Sequence, residues 1–311
     1  MTFRCPGKRC CRNTANDVCQ QARGPTGPRI NGSTGERANG PTERGTMILD
    51  QANVLWNRAT GSDCVHMGLA CDTRYASARP GQFVMVRAAT ATDPLLRRPF
   101  SIHQCGEGAD GRITVELLYR VVGKGTRLLA TYREGDQIDI FGPLGKGYTV
   151  SRDHERIYVV AGGIGVAPMP FLIRTLKKRR GDLDGVSVFL GGRSEDDLLC
   201  REFFESRQIP LTVTTDDGTA GDQCFITHPF EMAVQEDKPD MVYACGPIDM
   251  LQCILDFAEV HSVRCEISIE TAMACGMGVC LGCAVKRRGS DPGYLHACRD
   301  GPVFDVRKIV F

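Results

Sequence analysis

One tryptophan in 311 residues leaves little for an aromatic-lined sugar site or a base-stacking surface. A surplus of either charge is also missing, since 38 basic side chains stand against 37 acidic ones, a formal +1. That balance excludes the basic footprint of a nucleic-acid binder and gives no pull toward an anionic membrane. Nor is there a long uninterrupted apolar run. Residues 157–173 are uncharged, but the stretch is short for a membrane span and is broken by three glycines and two prolines. Residues 1–20 contain no continuous apolar stretch of the signal-peptide kind. The expectation is a cytoplasmic chain with no membrane and no nucleic acid as partner.

What the chain has in excess is cysteine, 16 in all. Without a secretory leader this sulfur is expected in a reducing compartment, as buried thiols and metal ligands rather than as a disulfide framework. Apolar residues make up 42%, so a sizeable core can form, and the length suits two domains with a small appendage.

The composition is uneven. Residues 1–46 carry seven Gly and four Pro, and eight Lys/Arg against three Asp/Glu. With almost no large apolar side chains they cannot bury enough surface to offset the entropy of ordering, so a disordered extension is expected. Met47 is an alternative natural start, and Cys5, Cys10, Cys11 and Cys19 have no ligand spacing that names a metal site. From 47 to 150 short strands follow one another at 51–67, 82–87, 100–105, 113–121 and 137–141, with one short helix at 125–132. That rhythm predicts an antiparallel β-barrel. From 151 to 262 strands at 156–161, 186–191, 211–215 and 241–244 alternate with helices reaching to about 180, at 196–206 and at about 248–260. This is the pattern of a parallel sheet with crossover helices. Residues 263–311 hold five Cys and too little apolar surface for a core of their own, so a metal cluster is expected as a staple.

Three constellations carry chemistry. Cys275, Cys280, Cys283 and Cys298 are spaced C-x4-C-x2-C-x14-C, and the first three follow the plant-type 2Fe-2S arrangement. Gly276 and Gly278 let the backbone wrap closely round a cluster and turn N–H groups toward its sulfurs. A structural zinc site is the alternative, but only Cys280 to Cys283 forms a zinc-type knuckle. The second constellation is Arg98, Pro99, Phe100 and Ser101 at the start of a barrel strand, followed by Leu118, Tyr119 and Arg120 and then by Gly125 and Thr126. An arginine suits a pyrophosphate, an aromatic packs on a ring system and Ser101 can hydrogen-bond near a flavin N5. Small residues at a helix start leave N–H groups for a second phosphate contact. The third is Gly162, Gly163 and Gly165 between a strand and a helix, joined by Cys245, Gly246 and Pro247 at the end of a later strand. Both lie where parallel sheets bind dinucleotides, although tight strand–helix packing is the plain alternative.

Together these segments resemble the ferredoxin-reductase-type flavoproteins. The run from Glu270 to Cys283, and Ala297 to Phe304 with its Asp-Gly-Pro-Val-Phe, narrow the similarity to the electron-transfer subunits of bacterial NAD-linked two-subunit dihydroorotate dehydrogenases. The resemblance covers about 47–311. It implies a Greek-key barrel holding FAD, an α/β domain receiving NAD and a C-terminal 2Fe-2S domain. It further implies an FMN-containing catalytic partner subunit, with two copies of each chain. Electrons would run from dihydroorotate through the partner's FMN, the cluster and FAD to NAD, with no catalytic acid–base residue on this chain. NADP stays open at this point. Arg193 and Ser194 follow the second α/β strand and could hold a 2′-phosphate, while Glu195, Asp196 and Asp197 come close behind. Rival readings are an NAD(P)H–ferredoxin, sulfide or hydrogenase-type electron-transfer subunit of the same architecture, and a non-catalytic zinc-stabilised interaction protein.

Overall fold

The computed structural model describes residues 47–311 except 62, 89–92, 109–110 and 290–292, so the readings for residues 1–46 lie outside the described residues. Six strands, β1 (Ile48–Thr60), β2 (Cys64–Cys71), β3 (Phe83–Arg87), β4 (Arg98–Glu107), β5 (Ile113–Arg120) and β6 (Gln137–Leu144), close into an antiparallel barrel in the order β1-β2-β5-β4-β3-β6. The run expected as one strand at 51–67 is a hairpin. Gly61 takes a left-handed φ of 65°, and Thr60 pairs with Cys64 across the turn. Alternate residues fill the interior, among them Met67, Leu69, Val84, Val86, Val115 and Leu117, as period-2 patterning requires. Helix α1 (Lys124–Leu129) is the short helix of this region, and a 3-10 turn at Thr73–Ser77 was not anticipated.

The second layer system is a six-stranded sheet. It is built from β7 (Ile157–Gly162), β8 (Val186–Gly192), β9 (Leu211–Thr215), β10 (Met241–Cys245) and β11 (Cys265–Ser268), all parallel, with α2 (Met169–Arg180), α3 (Arg201–Glu205), α4 (Thr227–Glu236) and α5 (Ile248–Val260) as connections. Every residue of β7 is buried because helices cover both faces. Ile157, Val159 and Ala161 face one core, against α2 and α3, while Tyr158 and Val160 face the other, against α4 and α5. Helix α4 escaped the sequence reading. Only Phe230 and Val234 on it are buried, too weak a stripe to stand out. The helix expected at 196–206 is a 3-10 turn at Glu195–Asp197 followed by the single short α3.

After β11 come β12 (Ala284–Arg287), β13 (Tyr294–His296), α6 (Ala297–Asp300), β14 (Val303–Asp305) and β15 (Ile309–Val310). Strand β14 adds antiparallel to β11, giving the sheet order β14-β11-β10-β7-β8-β9, and β13-β12-β15 form a small separate sheet. The expected line between 262 and 263 therefore falls inside the large sheet. Residues Ile267, Cys283, Cys298, Phe304 and Ile309 bury into the same core as α4 and α5, which supplies the apolar cover that residues 263–311 lack alone. Barrel and sheet are joined by several contacts, among them Phe171 of α2 packed in the barrel core and His103 Nδ1 on β4, which donates to the Ala167 carbonyl at 2.6 Å.

Candidate functional site

The cysteine loop is shaped by three left-handed residues, Gly276 at φ 71°, Gly278 at 84° and Leu281 at 59°. A Cβ on Gly276 would stand 2.6 Å from Met85 Cγ, so the loop lies hard against barrel strand β3. The wrap aims backbone donors at sulfur. The N–H groups of Met277 and Cys280 each reach Cys275 Sγ at 3.4 Å, and that of Cys298 reaches Cys283 Sγ at 3.4 Å. The sulfurs of Cys283 and Cys298 are 3.2 Å apart. Burial raises the Cys275 thiol, but the donors from Cys280 and Met277 outweigh it and bring the pKa to about 6. At Cys298, burial and the neighbouring Cys283 thiol push the pKa to about 12. A metal cation supplies the charge that turns such a thiol into a thiolate ligand. A donor set of four cysteines with N–H groups turned onto sulfur fits an iron–sulfur cluster.

The loop is buried on one side only. Cys283 and Cys298 belong to the core, Cys275 is half-buried and Cys280 is exposed. Met273 packs inward, whereas Met277, Val279 and Leu281 are 44%, 74% and 57% exposed. Beside them a cleft of about 280 Å³ is lined by Leu49, Leu95, Leu96, Phe141, Cys275 and Met277, among others. Exposed Leu49, Leu95, Leu96 and Met277 around this cysteine, with Arg97 among them, form an apolar collar of the kind that marks a contact surface.

Of the residues expected at the flavin, Arg98, Gly125 and Thr126 converge. A Cβ on Gly125 would be 2.6 Å from Arg98 Nε, so glycine makes room for the guanidinium. Thr126 Oγ1 accepts the N–H groups of Val122 and Gly123, both at 3.0 Å, which fixes the turn before α1. Phe100 and Tyr119 rings lie 5.2 Å apart, while Pro99 and Ser101 pair with Met85 and Phe83 on β3. Leu118 is buried against the α/β core. Arg120 turns toward that domain, with one guanidinium nitrogen 2.6 Å from buried Asp197 and Nε 3.2 Å from Asp63. Asp197 also takes Arg193 Nε at 2.5 Å and Nη2 at 3.1 Å. Arg193, left open as a holder of a 2′-phosphate, thus shares the Asp197 carboxylate with Arg120 and is 65% exposed.

At the turn after β7 the glycines divide their work. A Cβ on Gly165 would be 2.4 Å from the Cys245 carbonyl oxygen and 2.7 Å from Gly246 Cα, and one on Gly162 would be 2.9 Å from Pro247 Cδ. These two glycines let the turns after β7 and β10 touch. Gly163 has φ 52° and open space around it. Cys245 is buried and its thiol is pushed up to about 12 by burial, with Glu270 adding to the rise. It stays a neutral thiol at the carboxyl edge of the sheet. The sequence reading missed Asp216 and Asp217. Gly192 pairs with Thr215, and the N–H groups of Asp216 and Asp217 donate to Gly192 and Arg193, so both acids stand beside the end of β8. The signal was a strand ending in two acids, at the edge where dinucleotide riboses are read. Asp217 is occupied by Thr219, at 3.0 Å to its N–H and 2.7 Å to its hydroxyl.

The iron–sulfur cluster binding domain of dihydroorotate dehydrogenase B matches residues 270–310, and the oxidoreductase NAD-binding domain matches residues 159–256. The chain is 38% identical over 235 residues to the dihydroorotate dehydrogenase B (NAD(+)) electron transfer subunit of Desulforamulus reducens, covering 75% of this chain and 87% of that protein. It is 36% identical to the subunit of the same name from Caldanaerobacter subterraneus, covering 84% of this chain and 98% of that one. Among solved structures it resembles an NADH-dependent reduced ferredoxin–NADP oxidoreductase studied for flavin-based electron bifurcation, with a TM-score of 0.72 and 27% identity over 83% of this chain and 89% of that chain.

Proposed function

This chain belongs to the family of electron-transfer subunits of NAD-linked dihydroorotate dehydrogenase B, and from that premise we propose how its residues divide the work. The observation that carries the reading is the cysteine loop, with backbone donors on its sulfurs and an apolar collar at its open side. Cys275, Cys280, Cys283 and Cys298 would hold a 2Fe-2S cluster. Arg98, Pro99, Phe100, Ser101, Leu118, Tyr119, Gly125 and Thr126 would hold FAD, with Arg98 against the pyrophosphate and Ser101 toward the flavin ring. Arg120 would join them from its ion pair with Asp197. Gly162, Gly163, Gly165, Cys245, Gly246 and Pro247 would form the NAD site, where Gly163 leaves open backbone and the neutral Cys245 gives the nicotinamide an uncharged wall. Asp216, the carboxylate left over from the Asp217–Thr219 turn, would hydrogen-bond the adenosine ribose and repel a 2′-phosphate. FAD exchanges hydride and single electrons whereas a 2Fe-2S cluster exchanges one electron, so together they supply the conversion between a nicotinamide and a one-electron partner.

The partner is a catalytic dihydroorotate dehydrogenase subunit, carrying FMN and the base that oxidises dihydroorotate. We place its docking face on the collar of Leu49, Leu95, Leu96, Met277, Val279 and Leu281, and the assembly at two copies of each chain. Among the described residues no helix is long and apolar enough to cross a membrane. The location proposed is the cytoplasm, whose reducing pool suits 16 cysteines. The test is a reconstitution. The chain alone should pass electrons from NADH to an artificial acceptor, and dihydroorotate-dependent NAD reduction should need the added FMN subunit. Reduction of NAD by the chain alone with dihydroorotate would show that the division of labour is wrong.

A further inference from the structure

Three adjacent barrel strands bring together side chains that neither the cysteine loop nor the proposed flavin and nucleotide sites use. His66 stands on β2, Glu116 on β5 and His103 on β4, and the barrel order places these strands side by side. One ligand atom from each lies within 4.8 Å of the others. His66 Nε2 is 2.8 Å from Glu116 Oε2, and the two imidazole rings meet edge to face with centroids 5.3 Å apart. From these positions we infer that His66, His103 and Glu116 form a binding site for one divalent first-row cation, zinc being the probe of choice.

The chemistry of each group suits the task. Two imidazoles and a carboxylate are zinc ligands, with bonds of about 2.0–2.2 Å and neighbouring donors therefore about 3.3 Å apart in a tetrahedron. The His66–Glu116 pair has to open by about half an ångström, and the widest separation has to close by about 1.5 Å at most, which side-chain torsions supply. His103 is buried, and because a carbonyl only accepts, its Nδ1 donates the proton to the Ala167 carbonyl. The proton is thereby fixed on Nδ1 and the lone pair on Nε2. A ligating histidine whose other nitrogen donates to a backbone carbonyl is the usual support for a metal site. A bound cation would replace the His66 Nε2–Glu116 Oε2 contact. His66 and Glu116 are about one third and one fifth exposed, which leaves an entry path and a fourth position for water. Arg174 is within electrostatic reach of both Glu116 and His103 and opposes the cation. Because the three ligands sit on three strands and His103 also holds the turn before α2, the ion would brace the barrel against the nucleotide domain.

The chain's single tryptophan makes the test direct. Trp56 lies edge-on to His66, centroids 5.7 Å apart. The full-length holoprotein is dialysed against buffered Zn²⁺, and zinc, iron and sulfide are counted per chain. Co²⁺ is then titrated while Trp56 emission is followed. The expected result is one zinc more per chain in the unaltered protein than in His66→Ala or Glu116→Gln, with iron and sulfide equal in all three. Co²⁺ should quench Trp56 to saturation at one equivalent in the unaltered protein only. Zinc should raise the thermal midpoint of that protein alone, and Arg174→Gln should tighten binding several-fold. Equal zinc in all three proteins, zinc gained only as iron is lost, or unquenched Trp56 at saturation would each overturn the site. Glu116→Gln keeps the shape of the side chain, so loss of zinc there with flavin and iron retained cannot be ascribed to misfolding.

Discussion

Gly165→Ala is the most direct probe of the nucleotide site. The added Cβ would sit 2.4 Å from the Cys245 carbonyl oxygen, 2.6 Å from its carbon and 2.7 Å from Gly246 Cα. All three are backbone atoms, so no side chain can swing away. Ordinary contact begins at 3.4 Å, and the turns after β7 and β10 must part by the difference, about 1 Å. Overpacking of this kind destabilises by about 1–3 kcal/mol. A shift of about 1 Å at a positioning element can lower a rate about 10²-fold. NADH oxidation with ferricyanide as acceptor should therefore lose about 10- to 100-fold in kcat/KM, while bound flavin and iron stay at their original ratios. Gly163→Ala should cost less stability than Gly165→Ala in chemical denaturation. No atom lies within 4 Å of its Cβ, and only the φ of 52° is unfavourable, worth about 1 kcal/mol. If Gly165→Ala keeps its kcat/KM for NADH, the two turns do not form one site and the assignment fails.

Four other outcomes follow from the same geometry. Cys280→Ser removes the exposed thiol proposed as a ligand and keeps the backbone N–H on Cys275, so iron and labile sulfide should be lost while flavin absorbance persists; retention of about two iron per chain would contradict the ligand set. Arg98→Ala removes a charge-assisted contact of about 1.5–3 kcal/mol, so flavin affinity measured by apoprotein titration should fall about tenfold or more. Asp216→Ser should raise the NADPH to NADH ratio of kcat/KM at least about tenfold, because the charge that repels a 2′-phosphate is gone; an unchanged ratio would assign the choice elsewhere. The hydrogen bond from Arg193, with the Arg120 charge behind it, holds Asp197 below the usual carboxylate range. Its contribution is complete above the unfolded carboxylate value of about 3.9 and fades as pH falls through the lower folded value. Asp197→Asn should accordingly lose about 1–3 kcal/mol at neutral pH, and its deficit in chemical denaturation should shrink below about pH 4.

Local pattern was enough wherever one short segment carried the whole signal. The cysteine spacing, the β-then-β/α rhythm and the glycine turns are properties of neighbouring residues, because a loop round a cluster, a buried parallel strand and a strand–helix turn each impose their own spacing. The limits of that reasoning fall where the signal is spread thin or shared between distant segments. The turn at Gly61 hides inside a continuous run of strand-forming residues, and α4 exposes most of its surface, so neither has the contrast that periodicity needs. Packing in three dimensions decided the rest. It placed β11 and β14 in the large sheet, since residues 263–311 find their core only against α4 and α5. It turned Met273 inward and Met277, Val279 and Leu281 outward, though all four read alike as apolar residues near cysteines. It paired Arg193 with Asp197 and set Asp216 beside the end of β8, a juxtaposition of segments more than twenty residues apart that spacing along the chain does not show. Spacing along the chain records what a segment can become; which charges and apolar faces remain available depends on what the other strands bring beside it.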